Sequence, residues 1–356
     1  MNAPKGSAMH VSLREVAERA GVARGTVSSV LNNRSVEARI SPETQARIRR
    51  VAEELGYRPN RLAQGLGKGR TNILGLMIPG LRNPFFLSLL EIAEERALRA
   101  GYDVLPDSAF QMRAAYDMQG KLSGWPVDGI LIWVTPDQSL VDYLGKWTQD
   151  VPAVYLGYPR DDGSDFVAIN RDSGVSQVME HLRERGYRRI AYLYPWEDLQ
   201  PVDSRYALYA RLCAEAGQVP ERIALEPLDR PNTMSAITQA GLREAGLMTG
   251  LKLAARAATD RPDAVVCHND LVAIGLFSGL RRAGLLVPQD IAVVGFDGID
   301  EGQYLEKPLT TVVTPGEEMI EAALEMLTYR LNTTNETDRQ PRSLILHGVL
   351  RIGETT

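Results

Sequence analysis

Cysteine and histidine are scarce in this sequence. Its 356 residues include only two cysteines, Cys213 and Cys267, and no Cys-x-x-Cys pair, which argues against a disulfide framework or a zinc site. The four histidines are scattered along the chain, an arrangement more typical of ordinary core and surface positions than of metal ligands. We therefore expect the protein to work without a metal ion or other cofactor.

Long apolar segments are also missing. No apolar run approaches the roughly 20 residues that a bilayer-spanning helix needs, and the first 10 residues lack the apolar stretch and cleavage site of a secretory signal. Charged residues make up 24% of the chain and hydrophobic residues 44%, the usage of a soluble globular protein. We expect a cytoplasmic protein with no membrane partner and, at this length, two or three folding units.

Short catalytic signatures are absent as well. The sequence contains no Walker loop, no GxGxxG after a strand, no GxSxG and no set of His, Asp and Ser arranged as a catalytic triad. The chain is therefore predicted not to be an enzyme, although α/β domains host so many chemistries that fold alone does not decide the question.

The charge is unevenly distributed. Residues 1–70 hold 13 Lys and Arg against 6 Asp and Glu, a net charge of +7, whereas the remainder holds 27 against 39, a net charge of −12. A small basic head on an acidic body suits nucleic-acid binding, because neutralising phosphates releases counterions. A basic face is weak evidence by itself, since a merely solvated surface has the same composition.

Residues 13–32, LREVAERAGVARGTVSSVLN, have the spacing of two short helices around a tight turn. Gly21 falls where the turn needs a positive φ. A third helix follows, with Ser41 as its N-cap and Pro42 in its first position. The pattern predicts a helix-turn-helix, with an ordinary helical hairpin as the alternative. The small or apolar residues that carry this pattern are Val16, Ala17, Ala20, Val22, Val27 and Val30.

The second helix of a helix-turn-helix enters the major groove of DNA by its N-terminal end. Arg24 then has two possible roles, because its guanidinium can fork onto guanine O6 and N7 or contact a phosphate. Thr26 and Ser28 are better suited to phosphates. The DNA-binding residues predicted in this region are Arg24, Gly25, Thr26, Ser28, Ser29 and Asn32.

From residue 71 onward, short β-rich runs alternate with segments of helical periodicity, as in NILGLMIP, FFLSLLEIAEERALRAG, DGILIWV and IAVVGFD. This alternation predicts doubly wound parallel sheets in two lobes. Ligands of such sheets bind beyond the carboxyl ends of the strands, where Asn269, Asp297 and Arg205 offer hydrogen bonds to ligand hydroxyls or a carboxylate. Phe85 or Trp196 could stack on a ring, although Trp196 could equally cap a loop.

Three stretches together resemble the opening of a LacI/GalR transcription regulator: LREVAERAGVARGTVSSVLNN, ISPETQARIRRVAEELGYRPNRLAQGL and GRTNILGLMIPGLRNPFF. The resemblance continues in VDGILI, EHLRERGYRRIAYL, HNDLVAIGL and IAVVGFDGID. It implies an all-α helix-turn-helix head and a two-lobed, periplasmic-binding-protein-like α/β body. It also implies a homodimeric repressor that binds double-stranded operator DNA under the control of a small-molecule effector, with a carbohydrate as the favoured class.

The resemblance places a DNA-binding domain at residues 10–58, a hinge at 59–70 and an effector-binding and dimerisation domain at 71–353. Lobe one would comprise about 71–186 and 312–340, and lobe two about 187–311 and 341–353. The chain would cross between them near Gly186, Thr311 and Pro341.

Family resemblance also assigns residues. In the hinge, Leu66 would wedge into the minor groove when two copies meet on DNA, and Arg61 would contribute to DNA binding. The alternative for the hinge is a flexible linker, because Gly65 and Gly67 disfavour a helix. For Phe86, a place in the core is as good an assignment as a place in the pocket. The implied effector-binding residues are Phe85, Phe86, Arg205, Asn269 and Asp297.

A transport binding protein is the remaining alternative. It would share the two-lobed body, but it would need a signal peptide and would have no use for residues 13–70. The basic helix-turn-helix therefore favours the regulator.

Overall fold

The computed structural model describes residues 11–31, 39–57, 70–108, 127–134, 148, 151–194, 204–225, 241–333 and 340–356. The chain forms two compact units that divide between Thr71 and Asn72. Apart from Arg70, the predicted hinge lies outside the described residues. Among the helices that are described, none is both long and apolar enough to cross a membrane.

The described part of the N-terminal unit, the head, contains three helices: α1 Leu13–Ala20, α2 Arg24–Leu31 and α3 Pro42–Glu54. Ser12 and Glu15 form a reciprocal capping box at the start of α1. Gly21 follows α1 with φ 66°, and Ser41 caps α3 by accepting a hydrogen bond from the Thr44 amide. The helix-turn-helix predicted from the spacing is confirmed.

One small core holds the head together, and all three helices contribute to it. Because the apolar positions recur three and four residues apart, each helix turns one face inward. The buried residues are Val16, Ala17, Ala20, Val27, Val30, Ile48, Val51 and Ala52.

The C-terminal unit, the body, contains two six-stranded sheets among its described residues. Lobe one has the spatial strand order β11-β5-β4-β3-β1-β2, with every neighbouring pair parallel. Interior strands such as Gly129–Trp133 are buried along their whole length, as expected where both faces of a sheet are covered. The strands of lobe one are β1 Ile73–Met77, β2 Asp103–Asp107, β3 Gly129–Trp133, β4 Ala153–Gly157, β5 Asp165–Asn170 and β11 Ser343–His347.

Lobe two has the strand order β12-β10-β9-β8-β6-β7, in which only the pair of β10 and β12 is antiparallel. The two sheets confirm the predicted doubly wound parallel architecture. The strands of lobe two are β6 Ile190–Tyr194, β7 Glu221–Ala224, β8 Ala264–Cys267, β9 Ala292–Asp297, β10 Thr310–Val313 and β12 Val349–Arg351.

The described helices of the body follow the strands. Helices α7 (Leu242–Ala254) and α8 (Asp270–Arg282) approach each other so closely that a Cβ on Gly275 would lie 2.1 Å from the Arg243 carbonyl oxygen. The helices are α4 Pro84–Arg99, α5 Arg171–Glu184, α6 Ser204–Glu215, α7 Leu242–Ala254, α8 Asp270–Arg282 and α9 Gly316–Asn332.

The chain passes between the lobes after β5, after β10 and after β11; the second crossing agrees with the position predicted near Thr311, whereas the first and third differ from those predicted near Gly186 and Pro341. Helix α5 belongs to lobe two and not to lobe one, because its apolar face packs with Tyr192 of β6. Residues 343–347 belong to lobe one and not to lobe two, because they pair in parallel with β5. Thr311 lies within β10, so the chain leaves lobe two after Val313 and enters α9, which packs against α4.

Candidate DNA-binding and effector-binding sites

Helix α2 has its apolar side inward and its first turn accessible. Val27 and Val30 are fully buried, whereas Arg24 and Gly25 are exposed. A Cβ on Gly25 would meet no atom within 4 Å, so packing within the head does not demand glycine at this position. The partly exposed members of the predicted set are Thr26, Ser28 and Ser29. The other DNA-binding residues predicted from the sequence, Asn32, Arg61 and Leu66, lie outside the described residues.

In the body, several predicted residues lie at the carboxyl ends of strands. Asp297 ends β9 in lobe two, and Asn83 follows β1 in lobe one. The Asn83 Nδ2 group donates a long hydrogen bond of 3.4 Å to the Asp297 Oδ2 atom, so the two carboxyl edges face each other. We call the region between these edges the cleft.

The amide of Asn83 has a defined orientation. Its Oδ1 atom caps α4 by accepting a 3.0 Å hydrogen bond from the Phe85 amide. The Nδ2 group is consequently the part that reaches Asp297. Asn83 is 2% exposed, and it was not among the predicted effector-binding residues. Its signal in the sequence is the Asn-Pro pair at the start of a helix.

Arg205 on α6 is buried to 7% exposure and directed toward the end of β8. Its guanidinium donates a hydrogen bond of 2.8 Å to the His268 carbonyl oxygen, and Nη2 lies 2.9 Å from His268 Nδ1. The same Nη2 group lies 3.3 Å from His268 Nε2, so the guanidinium lies against the edge of the imidazole ring, and the tautomer of His268 sets which ring nitrogen accepts the hydrogen bond. His268 was not predicted as a site residue.

Asp297 has unusual backbone and electrostatic surroundings. Its φ is 114°, a left-handed value that costs energy for a residue with a side chain. Burial raises the pKa of Asp297 to about 7, while the charge of Arg205, the hydrogen bond from Asn83 and the charge of Arg171 act in the opposite direction. The side chain remains partly exposed. A carboxyl group on a strained backbone, with its pKa raised by burial to about 7, is a candidate functional group.

Asn269 is the N-cap of α8, and Asp270 is the first residue of that helix. Asn269 Oδ1 caps the helix by accepting a 3.0 Å hydrogen bond from the Val272 amide. The next side chain, Asp270, is fully buried and accepts hydrogen bonds from the Gly298 and Ile299 amides and from the Thr311 hydroxyl. Burial raises the pKa of Asp270 well above its usual value, and the charge of Asp297 adds to this effect.

The predicted aromatic residues of the cleft edge form part of a buried cluster. Phe85 and Phe86 are 6% and 5% exposed and pack edge-to-face on Trp133, with ring centres 5.4 and 5.1 Å away. Trp133, at the end of β3, was not predicted. Both phenylalanines thus contribute to the core of lobe one, and Trp196 lies outside the described residues.

The combination of a helix-turn-helix head with a two-lobed α/β body defines the class of ligand-responsive DNA-binding regulators. Comparison with protein-family models agrees. Residues 12–60 match the model for bacterial regulatory proteins of the lacI family, and residues 179–356 match a periplasmic binding protein-like domain.

Known proteins resemble nearly the whole chain. The ribose operon repressor of Escherichia coli strain K12 is 30% identical over 335 residues, which cover 93% of this chain and 96% of that protein. The structure of the transcriptional regulator CelR in complex with cellobiose matches with a TM-score of 0.61 and 26% identity, over 98% of this chain and 100% of that one. The lac repressor dimer bound to operator and an anti-inducer matches with a TM-score of 0.76 and 22% identity, over 98% of this chain and 99% of that one.

The chain belongs to the lacI family of bacterial regulatory proteins. It is a DNA-binding transcriptional regulator with an effector-binding domain, and its relatives are repressors and not enzymes. The family resemblance, the fold class and the function class predicted from the sequence are confirmed.

Proposed function

We propose that the protein is a repressor that binds a two-fold symmetric operator as a homodimer, and that a small carbohydrate held in the cleft controls its affinity for DNA. The observation that carries this proposal is the convergence of Asp297, Arg205 and Asn83 at the facing carboxyl edges of the lobes. Ligands of open α/β sheets bind at such edges.

On the DNA side, the exposed first turn of α2 enters the major groove. Arg24 reads a guanine through O6 and N7, and Gly25 lets the backbone approach the DNA because no Cβ intervenes. Thr26, Ser28 and Ser29 set the register by binding phosphates or base edges. Asn32 and Arg61 add further DNA contacts, and Leu66 wedges into the minor groove.

In the cleft, a carbohydrate would be held mainly by lobe two. Asp297 accepts hydrogen bonds from sugar hydroxyls, Arg205 donates to them, and Asn269 offers its Nδ2 group because its Oδ1 atom caps α8. Phe85 and Phe86 supply the apolar edge of lobe one, where a sugar ring presents its C–H face. The cellobiose in the CelR complex supports a sugar over other small molecules.

Dimerisation is proposed because a single head buries too little surface for tight and specific binding, whereas two heads read the two halves of a palindrome. The dimeric lac repressor on its operator supports this arrangement. Ligand controls DNA binding only if it binds the two lobe arrangements with different affinities.

Selection of bound sites from random double-stranded DNA tests the proposal. We expect palindromic sites whose half-sites are about one helical turn apart, bound by a dimer. The selected operator is then titrated with protein in the presence of D-ribose, D-glucose and cellobiose. Selection of asymmetric sites bound by a monomer would refute the dimer, and a response only to non-carbohydrate metabolites would refute the effector class.

A further inference from the structure

The carboxylate of Asp270 lies behind the cleft, where a ligand cannot reach it. It is fully buried at the start of α8, and its Oδ2 atom accepts hydrogen bonds of 2.8 Å from both the Gly298 and the Ile299 amides. Its Oδ1 atom accepts a 2.5 Å hydrogen bond from the Thr311 hydroxyl of β10. A single side chain thus joins α8, the turn that follows β9, and the last strand before the chain returns to lobe one.

The turn that Asp270 holds is the one that directly follows Asp297. The backbone has φ 114° at Asp297 and φ 81° at Gly298, so two successive residues lie in the left-handed region. Such a conformation persists at a residue with a side chain only when neighbouring groups determine it. The hydrogen bonds that the Gly298 and Ile299 amides donate to Asp270 hold this backbone conformation.

The atoms around the Asp270 carboxyl group and the turn at Gly298 are closely packed. A Cβ on Gly295 of β9 would lie 2.0 Å from Asp270 Oδ1, and a Cβ on Gly298 would lie 2.8 Å from the Val313 Cα atom. The Asp297 carbonyl oxygen also accepts a hydrogen bond of 3.1 Å from the Thr314 amide. A shift of the Asp270 carboxyl group would therefore move this turn, and the Asp297 side chain would move with it.

We propose that Asp270 is a positioning residue of the effector site, which holds the turn at Gly298 and Ile299 and thereby keeps the Asp297 carboxyl group at the cleft. The importance of Asp270 for effector binding rests on the proposed function of Asp297. The positioning of the turn by Asp270 holds whether or not Asp297 binds the effector. The alternative is that Asp270 acts only as a buried charge near Asp297 or as part of the general core.

Ile299 offers a matched pair of variants that separates these roles. Its φ of −64° is one that proline adopts, so Ile299→Pro demands no new backbone angle at this residue, and the proline Cδ atom takes the place of the amide hydrogen and separates the turn from Asp270 Oδ2. Ile299→Ala keeps the amide and removes more side-chain atoms than proline does, so it controls for lost packing. Asp270 itself is unchanged in both variants.

The measurement is the pH titration of the Asp297 carboxyl carbon by NMR in full-length protein labelled at aspartate, with the signal assigned by its loss in Asp297→Asn. Release of the turn exposes Asp297 to solvent, so its midpoint should fall by about one pH unit in Asp270→Asn and in Ile299→Pro. The midpoint should stay close to the wild-type value in Ile299→Ala. Thermal unfolding of each variant verifies that it is folded.

Equal midpoints in Ile299→Pro and Ile299→Ala would overturn the proposal. A shift confined to Asp270→Asn would reduce Asp270 to a charge effect, and a shift confined to Ile299→Pro would make the turn independent of Asp270. Each of these results contradicts positioning by Asp270. The titration uses no effector, so failure of the proposed function would appear separately, as an unchanged carbohydrate response of operator binding in Asp297→Asn.

Discussion

Lobe one and lobe two present different chemistry at the cleft. The edge of lobe one is built from the edge-to-face cluster of Phe85, Phe86 and Trp133. The edge of lobe two carries two polar side chains. Arg205 donates a hydrogen bond to the His268 carbonyl oxygen, and Asp297 accepts one from Asn83. Apolar contact gives affinity with little directional preference, whereas oriented hydrogen bonds discriminate among ligands. Under the proposed function, this difference predicts that lobe one contributes packing and general affinity and that lobe two determines ligand selectivity.

The largest effect is expected from the aromatic edge. Trp133→Ala should lower the free energy of unfolding of the body by about 3 to 5 kcal/mol, because it leaves a cavity beneath two phenylalanines. Urea unfolding followed by circular dichroism measures this loss. Leu98→Ala, at a residue that is 69% exposed, is the control and should have little effect. Equal losses in the two variants would show that the cluster is not part of the core.

A smaller effect, but on ligand binding, is expected from the polar edge. At pH 8, above the pKa of about 7, Asp297→Asn should weaken binding of the responsive carbohydrate by about 2 to 3 kcal/mol, because it removes a charged hydrogen-bond acceptor. Asp300→Asn changes an exposed carboxylate three residues further along and should leave binding unchanged. Calorimetry on both variants makes the comparison. Equal affinities would remove Asp297 from the effector site.

The ionisation of Asp297 gives the edge of lobe two a pH dependence near neutrality. Because its folded pKa of about 7 lies above the ordinary value of 3.8, the folded state holds its proton more tightly, and this group's contribution to stability is lost as pH rises from about 4 through 7. Asp297→Asn should therefore be more stable relative to wild type at pH 8 than at pH 5, by on the order of 1 kcal/mol after solvent screening. Urea unfolding at the two pH values checks the sign, and a larger advantage at pH 5 would contradict the raised pKa.

The smallest effect is expected from the long hydrogen bond between Asn83 of lobe one and Asp297 of lobe two. Asn83→Ser keeps a helix cap but removes the Nδ2 donor, so its stability effect should couple to that of Asp297→Asn by about 0.5 to 1 kcal/mol in a double-mutant cycle. Asn170→Ser makes the same exchange at the cap of α5, where Asn170 accepts from the Ser173 amide, and should show no such coupling. Additive effects in both cycles would show that the long Asn83–Asp297 hydrogen bond contributes nothing to stability.

Local sequence patterns predicted most of the architecture. The head follows from apolar spacing, from Gly21 at the turn and from Ser41 and Pro42 at the start of α3, all of which act within a few residues. The alternation of β-rich and helical runs likewise predicted parallel sheets. The positions where the chain changes lobes were harder to predict from local patterns, because the pairing of residues 343–347 with β5 joins segments more than 170 residues apart.

The polar groups of the cleft were predicted only in part. Asp297, Arg205 and Asn269 could be proposed because they lie at or near strand ends in a family resemblance. Trp133 and His268 acquire their roles from contacts with residues distant in sequence, which no local pattern encodes.

If α2 reads DNA while the cleft controls that reading, operator affinity measured with and without carbohydrate will separate the two sites. On the selected operator, Arg24→Ala should lose about 1 to 3 kcal/mol of affinity at one base pair of each half-site and keep its carbohydrate binding. Asp297→Asn should keep the effector-free operator affinity and lose the response to carbohydrate. If Arg24→Ala weakens binding equally on all sequences, Arg24 does not read a base, and if Asp297→Asn responds to carbohydrate like the wild type, Asp297 does not take part in effector control.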